Sequence, residues 1–456
     1  MKEKTVINDL THGPIGRQIL LFCLPIMLSN VLDTLYNLVD MAIVGQFVGS
    51  VGLSAVSTSG QITILLYCMG IGFATGGQIL ISQQVGVGDR RGVRITIGTS
   101  ISFTVILGIS VAVIGLLLHQ PLLRMVNTPS EAMQDANEYM VWCCLGVPFT
   151  YFYAGMTALL RGMGDSKHPL LFTTASAVTN IVLDLVLVAG FGLRAKGAAI
   201  ATSFAQMMGC VCCVIYLYKN RDAIGFDFRK ESFRMEKNTL GRIVKLAAPI
   251  AVQVVAINVS MLFVNARVNS YGVVASAVNG IGSKLYSMVT IVTNATQSAV
   301  ATFTGQNVAA GQHSRVRRMM GYATGINMAF WLISVLACTV LPRAIFSIFT
   351  TESEVLALAP DYMHIMILMY LTFALLSIPC GFINGVGNVG LNLVIAILDG
   401  VVARIGLGLL IAVSMGVGLY GYWWGNALAG LVSVFGGWGY YFTGRWKKRE
   451  RLTDGL

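Results

Sequence analysis

The sequence predicts an all-α polytopic membrane protein, with twelve transmembrane helices in two pseudo-symmetric six-helix bundles. Three observations predict it. The chain is 55% hydrophobic and only 11% charged, with a mean hydropathy of +0.72 over 456 residues, where a soluble chain carries about 25% charge. Apolar stretches long enough to cross a hydrocarbon core of roughly 30 Å recur along it. The chain also resembles itself at a fixed offset.

The apolar segments lie near 17–40, 53–81, 95–118, 137–160, 169–190, 197–217, 243–266, 275–303, 319–341, 355–380, 390–413 and 418–442. Their length favours helices, because a barrel strand needs only about ten residues to span. The 50 glycines fit close helix–helix approach in a bilayer. The polar start "MKEKTVINDLTHGPIGRQ" leads into a segment too long for a signal h-region and without an evident cleavage site.

Self-alignment at an offset of about 223 pairs Gln83 with Gln306, Gly88 with Gly311, Arg94 with Arg317, Gly162 with Gly385 and Gly164 with Gly387. "RGMGDSKHP" (161–169) answers "NGVGNVGLN" (384–392), and "GRQILLFCLPI" (16–26) answers "GRIVKLAAPI" (241–250), with Pro25 opposite Pro249. Each copy holds six spans, an even number, so the halves share one orientation about an axis along the membrane normal. The expected organisation is an N-terminal lobe at 1–218, a basic cytoplasmic linker at 219–242 and a C-terminal lobe at 243–456.

The net charge of +11 raises the question of a polyanionic partner, and its distribution answers it. Of the 31 Lys and Arg, 24 fall in segments on one side, including Arg161, eight residues between Lys219 and Lys245, and five in "RWKKRER". Four fall on the other side (Arg124, Arg194, Lys196, Arg343) and three within spans (Arg267, Lys284, Arg404). This is the positive-inside pattern: it sets a topology with both termini cytoplasmic and excludes nucleic acid as partner. The expected partners are the lipid bilayer and small-molecule substrates, and the expected state is a monomer.

Enzyme chemistry has no foothold. The five histidines are scattered and no C-x-x-C pair is present. "CVCC" at 210–213 has no His or carboxylate beside it, so its thiols read as small apolar residues. "GVGDRR" (86–91) looks like a phosphate loop, but no strand precedes it. No cofactor is expected, only a coupling ion, H⁺ or Na⁺.

The unusual chemistry is acid within the spans. Asn30, Asp33, Asn37 and Asp40 recur at three-, four- and three-residue steps, one face of the first helix. A carboxylate at mid-bilayer costs roughly 2.5–3.5 kcal/mol on the lenient insertion scale, so this face belongs against a cavity or another helix. Interhelical hydrogen bonding is one reading of the stripe, and a site for ion and cargo is the other. In "TNIVLDLVLVAGFG" (179–192) Asn180 and Asp184 share a face, and "GAAIATSFAQ" (197–206) adds Thr202. Two carboxylates, an amide and a hydroxyl could surround one small cation with oxygen. They could equally hold a proton, because two acids crowded in a low-dielectric site cannot easily both be charged. Asn30, Asp33, Tyr36, Asn37 and Lys284 are candidate substrate contacts, and Pro25 is a candidate hinge. Asp399 and Arg404, five apart on one helix, point well away from each other on α-helical geometry, so no direct pair is expected. Tyr422, Trp423 and Trp424 read as interfacial anchors.

"LPIMLSNVLDTLYNLVDMAIVGQFVG" (24–49), "ISQQVGVGDRR" (81–91), "LLRGMGDSKHP" (159–169), "NIVLD" with "GAAIATS" (180–203), and "NSYGVVASAVNGIGSKL" with "FTGQNVAAG" (269–311) together resemble the MATE (multidrug and toxic compound extrusion) transporters of the wider MOP-type fold. The resemblance covers nearly the whole chain. It implies two six-helix lobes, alternating access, and export of drugs or toxic metabolites against H⁺ or Na⁺. Asp40, Asn180, Asp184 and Thr202 match the N-lobe cation or proton site of the DinF-like branch, and would be the metal ligands if the ion is Na⁺. The other familiar branch has an acid in its seventh helix; "QVVAINVSMLFVNARVN" (253–269) has none, so no C-lobe site is assigned. Asp33 departs from the uncharged polar residue of many relatives, which reads as a mark of substrate preference. The resemblance also admits a flippase for a lipid-linked saccharide, but Asp33 and Asp40 favour a cationic cargo over a lipid pyrophosphate.

Overall fold

The structure is a computed structural model that describes residues 7–126 and 128–453. The terminal residues, whose side of the membrane the charge pattern predicts, lie outside the described residues, as do Lys2 and Lys4 of that pattern.

Twelve long helical segments run through the described chain. They are α1 Ile15–Phe47, α2 Ser50–Val87, α3 Arg90–Met125, α4 Met133–Gly162, α5 Lys167–Gly190 and α6 Arg194–Lys219. The second six are α7 Lys237–Asn269, α8 Val273–Ala309, α9 His313–Val340, α10 Ser353–Gly385, α11 Val389–Ser414 and α12 Leu419–Thr443. Ten of these are long and apolar enough to cross a membrane by composition alone. The other two, α8 and α12, are diluted by Ser, Thr and Asn in α8 and by Gly, Tyr and Trp in α12. Leucine and phenylalanine side chains such as Leu117, Phe435 and Phe442 stand more than 70% exposed; bare apolar surface on this scale is at home in lipid.

The duplication is written into the backbone. Gly49, Gly88 and Gly164 have φ of 81°, 75° and 84°, and their counterparts Gly272, Gly311 and Gly387 have 104°, 74° and 83°. At these helix junctions the chain takes a conformation that a side chain would strain. The close helix approaches repeat as well. A Cβ on Gly162 would sit 2.7 Å from the Gln78 carbonyl oxygen, and one on Gly385 would sit 2.4 Å from that of Ala301.

Contacts divide the chain into two compact units, one built on Leu24–Ala251 and the other on Thr11–Cys23 with residues 252–453. In the first, α2, α4 and α6 enclose Val44, Ala55, Met140, Cys143 and Ala198. In the second, α8, α10 and α12 enclose Val278, Phe346, Tyr362 and Trp423. Tyr422 and Trp423 are thus 3% and 1% exposed, core residues rather than interfacial anchors. Their place in "GYWWGN", between two glycines that admit close helix contact, lets the rings turn inward. Trp424 alone of the three stays exposed.

The linker is more ordered than a basic hydrophilic stretch predicts. Phe226, Phe228 and Phe233 pack edge to face. The Ser102 hydroxyl of α3 donates to the Phe233 carbonyl at 2.5 Å, and the Glu236 amide donates to Thr99 Oγ1 at 3.2 Å. Three aromatics and two hydrogen bonds thus fasten the linker to α3, and α7 starts at Lys237, ahead of the apolar run that reveals it in sequence.

Candidate coupling and cargo site

α1 and α5 bring the two predicted acids together. Asp40 is 8% exposed and Asp184 not at all, and the two carboxyl groups are close neighbours. One helical turn back on α5, Asn180 donates from Nδ2 to Thr202 Oγ1 of α6 at 3.4 Å. The four residues predicted to hold the coupling ion thus lie on neighbouring helices, three of them buried and Thr202 half-buried. α5 passes into a π-helical turn at Leu185–Gly190, directly after Asp184; such turns recur at functional positions because they displace side chains from the α-helical register.

The donors are missing. Asp40 Oδ1, both Asp184 oxygens and Asn180 Oδ1 are buried and face no hydrogen-bond donor among the described residues. Buried polar atoms are nearly always satisfied, and two carboxylates facing each other hold no proton to share unless one is protonated. The arrangement is thus short of positive charge, which a proton or a small hard cation with oxygen ligands could supply. Among the described residues no cluster of three or more His, Cys, Asp or Glu occurs, so the donor set fits H⁺ or Na⁺ and lacks the nitrogen and sulfur ligands of transition-metal centres.

Asp33 enters a different environment, as its spacing of about 10.5 Å along α1 requires. With Asn30 and Tyr36 it lines a cavity of about 210 Å³ that Thr150, Tyr153, Thr157, Arg161 and Gln206 complete. Asn37 does not line it: it is exposed, and its Nδ2 donates to the Asp33 backbone oxygen at 2.6 Å. Lys284 is exposed on α8 in the other unit and makes no ion pair among the described residues. Pro25 lies within α1 without ending it, and its carbonyl oxygen accepts from the Ser29 hydroxyl at 3.0 Å. Arg161 is the residue that sequence reasoning missed. Beside "GMGD" it reads as a cytoplasmic-turn charge, but α4 continues through Gly162 and holds its guanidinium against the cavity.

The C-terminal unit corrects a second expectation. Arg404 Nη2 reaches Asp399 Oδ1 at 3.4 Å, Arg404 Nη1 donates to Ser260 Oγ at 3.2 Å, and Ser433 Oγ donates to Asp399 Oδ2 at 2.6 Å. The cause is a π-helical turn at Leu398–Ala403. At about 3.6 residues per turn a five-residue step leaves two side chains about 140° apart, whereas at roughly 4.4 per turn they come within about 50°. The group borders a cavity of about 80 Å³. Arg267 has its guanidinium 5.2 Å from the Phe263 ring centre.

The comparisons with known proteins identify the family and the fold. The MatE family model matches twice, over residues 25–186 and 249–410, beginning at Pro25 and Pro249. The chain belongs to the MatE family. It is a multi-pass membrane transporter and not an enzyme. It is 29% identical over 455 residues to a Bacillus subtilis protein named "Probable multidrug resistance protein YoeA", covering 98% of both chains. It is 24% identical over 401 residues to a Shewanella oneidensis "FAD transporter", covering 87% of this chain and 84% of that one. Its fold matches that of a MOP superfamily transporter from Pyrococcus furiosus with a TM-score of 0.91 at 21% identity, over 98% of this chain and 100% of the other.

Proposed function

We propose that this transporter is a secondary antiporter of a bacterial cytoplasmic membrane, with cytoplasmic termini. It exports amphipathic, often cationic drugs or toxic metabolites in exchange for H⁺ or Na⁺ by alternating access. The observation that carries the reading is the Asp40–Asp184 pair, two buried carboxylates with three oxygens lacking any donor. A monovalent cation halves the charge of the pair and lets α1 and α5 draw together; its loss leaves the full mutual repulsion. The site therefore has two arrangements with different affinities for the ion, the requirement for gradient-driven population shift. Pro25, which removes one hydrogen bond from α1, is the point where that helix bends. Asp40, Asn180, Asp184 and Thr202 support placement in the DinF-like branch, and the names of the multidrug relatives support drug cargo.

Asp40 serves coupling and Asp33 serves cargo. Asp40→Asn abolishes export of every substrate, while Asp33→Asn chiefly weakens export of cations. The test is ethidium efflux from proteoliposomes with pH and sodium gradients imposed separately. Export that follows one gradient, and is lost in Asp40→Asn, is the expected result. Efflux indifferent to both gradients would sink the antiport reading.

A further inference from the structure

The cavity in the N-terminal unit holds a negative and a positive group that do not neutralise each other by contact. Asp33 of α1 and Arg161 of α4 both line it. The Arg161 charge acts on Asp33 through space, with no hydrogen bond joining the two side chains. Arg161 Nε is buried and has no acceptor, and Gln206 Oε1 is buried and has no donor. Both side chains, Arg161 and Gln206, line the cavity. A cavity built for a simple cation would contain no guanidinium, because like charge repels the cargo and burying an unpaired Arg is costly.

We propose that Arg161 is a specificity-determining residue that binds an anionic substituent, so that this cavity takes zwitterionic cargo, with the carboxylate end on Arg161 and the cationic end on Asp33. The inference rests on the cavity being the cargo site of the transporter and goes further by naming the cargo's second charge. A planar carboxylate matches the guanidinium fork of a side chain that lines the cavity. An ammonium or pyridinium at the other end meets the Asp33 carboxylate, and Tyr36 and Tyr153 offer ring faces for the body between. Neutralised by opposite ends of one ligand, both side chains lose the cost of their uncompensated charge in a low-dielectric cavity.

The experiment compares N-methylnicotinate, a permanent zwitterion, with its methyl ester, a permanent cation of nearly the same size. Both are titrated calorimetrically into the purified full-length transporter, without an ion gradient. Wild type should bind the acid more tightly than the ester. Arg161→Gln should weaken the acid by roughly ten- to a hundredfold, the worth of a charge-assisted hydrogen bond, and reverse the preference. Arg161→Lys should recover part of the acid's affinity, and Asp33→Asn should weaken both ligands. Equal weakening of acid and ester in Arg161→Gln would mark Arg161 as structural and overturn the inference. So would a wild type that prefers the ester or binds neither. Because binding is read without a gradient, acid-selective binding in a protein that fails to export would sink the antiport reading and leave this one standing.

Discussion

In the N-terminal unit, α5 sets Asp184 against Asp40 and leaves their oxygens without donors. In the C-terminal unit, α11 sets Asp399 against Arg404 and Ser433, and both carboxylate oxygens are satisfied. The two units repeat one chain trace, but α11 carries a π-helical turn at Leu398–Ala403 where α5 stays α-helical as far as Asp184, so the difference lies in a local change of backbone as well as in side chains. Counting fifteen residues on from Pro25 and Pro249 pairs Asp40 with Val264. Counting back from the left-handed glycines that follow α5 and α11, Gly192 and Gly416, pairs Asp184 with Gly408 and Asn180 with Arg404. The second unit has lost both acids and gained a resident cation. A carboxylate with its own guanidinium has no use for an ion from the medium, whereas two bare carboxylates do. On the proposed antiport, exchange with a gradient would belong to one unit, while the other holds a fixed pair.

The largest effect that can break this contrast is on coupling. Asp184→Asn keeps the size of the side chain and gives Asp40 an amide donor, so it fills the vacant positive role permanently. Gradient-driven ethidium efflux should fall to the level of empty liposomes while thermal stability holds or rises. Wild-type rates at matched protein content would place the exchange elsewhere. In the other unit the signs reverse. Arg404→Met leaves Asp399 buried without its counter-charge, and breaking such a pair from one side costs about 3–5 kcal/mol. Its melting temperature in detergent should drop sharply, and the double variant Asp399→Leu with Arg404→Met should recover most of the loss. Efflux per folded molecule should persist in the double variant. If it vanishes, the C-terminal pair also takes part in transport.

Most of the architecture was legible from the sequence because membrane spans and duplication leave strong periodic signals. The twelve segments, the matched glycines and the grouping of Asp40, Asn180, Asp184 and Thr202 all come from hydropathy, from spacing and from likeness to a known family. Two of the features that escaped share a cause: helices that do not stop or turn as the α-helical rule assumes. The Asp399–Arg404 pair depends on a π turn at Leu398–Ala403, and no residue pattern in "LDGVVA" announces it. Arg161 was hidden by its neighbours, since "RGMGD" reads as a turn although α4 runs through its first two residues. The inward turn of Trp423 follows from Gly421 and Gly425, where Cβ atoms would fall 2.3 Å from Ala412 and 2.5 Å from Gly408. That signal was in the sequence, masked by the commoner role of membrane tryptophans.

The shared part of the comparison can be sharpened with matched glycines. An added Cβ at Gly162 would lie 2.3 Å from Ile81 Cγ2 and 2.7 Å from the Gln78 carbonyl oxygen. At Gly385 it would lie 2.4 Å from the Ala301 carbonyl oxygen and 2.7 Å from Thr304 Cβ. Gly162→Ala and Gly385→Ala should each destabilise by about 1–3 kcal/mol through overpacking, and by similar amounts. A large cost in one and none in the other, by thermal melting, would show that the units do not pack their equivalent helices alike.

The smallest effects concern two candidate residues that do not line the cavity entered by Asp33. Asn37 shares the α1 stripe with Asp33 and Asp40, but it spends its amide on the backbone oxygen one turn back and is absent from the cavity lining. Such local back-bonding changes little when removed, and substitutions of exposed residues usually stay within about 0.5 kcal/mol. Lys284 is exposed on α8 without an ion pair among the described residues. Asn37→Ala and Lys284→Ala should therefore leave the binding of N-methylnicotinate and its ester, and the rate of ethidium efflux, within about twofold of wild type. The two variants also separate two accounts of the stripe. If Asn37→Ala costs as much as Asp33→Asn, then the whole polar face of α1 acts as one surface during the transport cycle. If Asn37→Ala is silent while Asp33→Asn is not, only the residues that line the cavity or meet Asp184 matter. The same assay run on Lys284→Ala asks whether the second unit adds a charge to cargo recognition, and an effect confined to anionic or zwitterionic cargo would assign that charge to it.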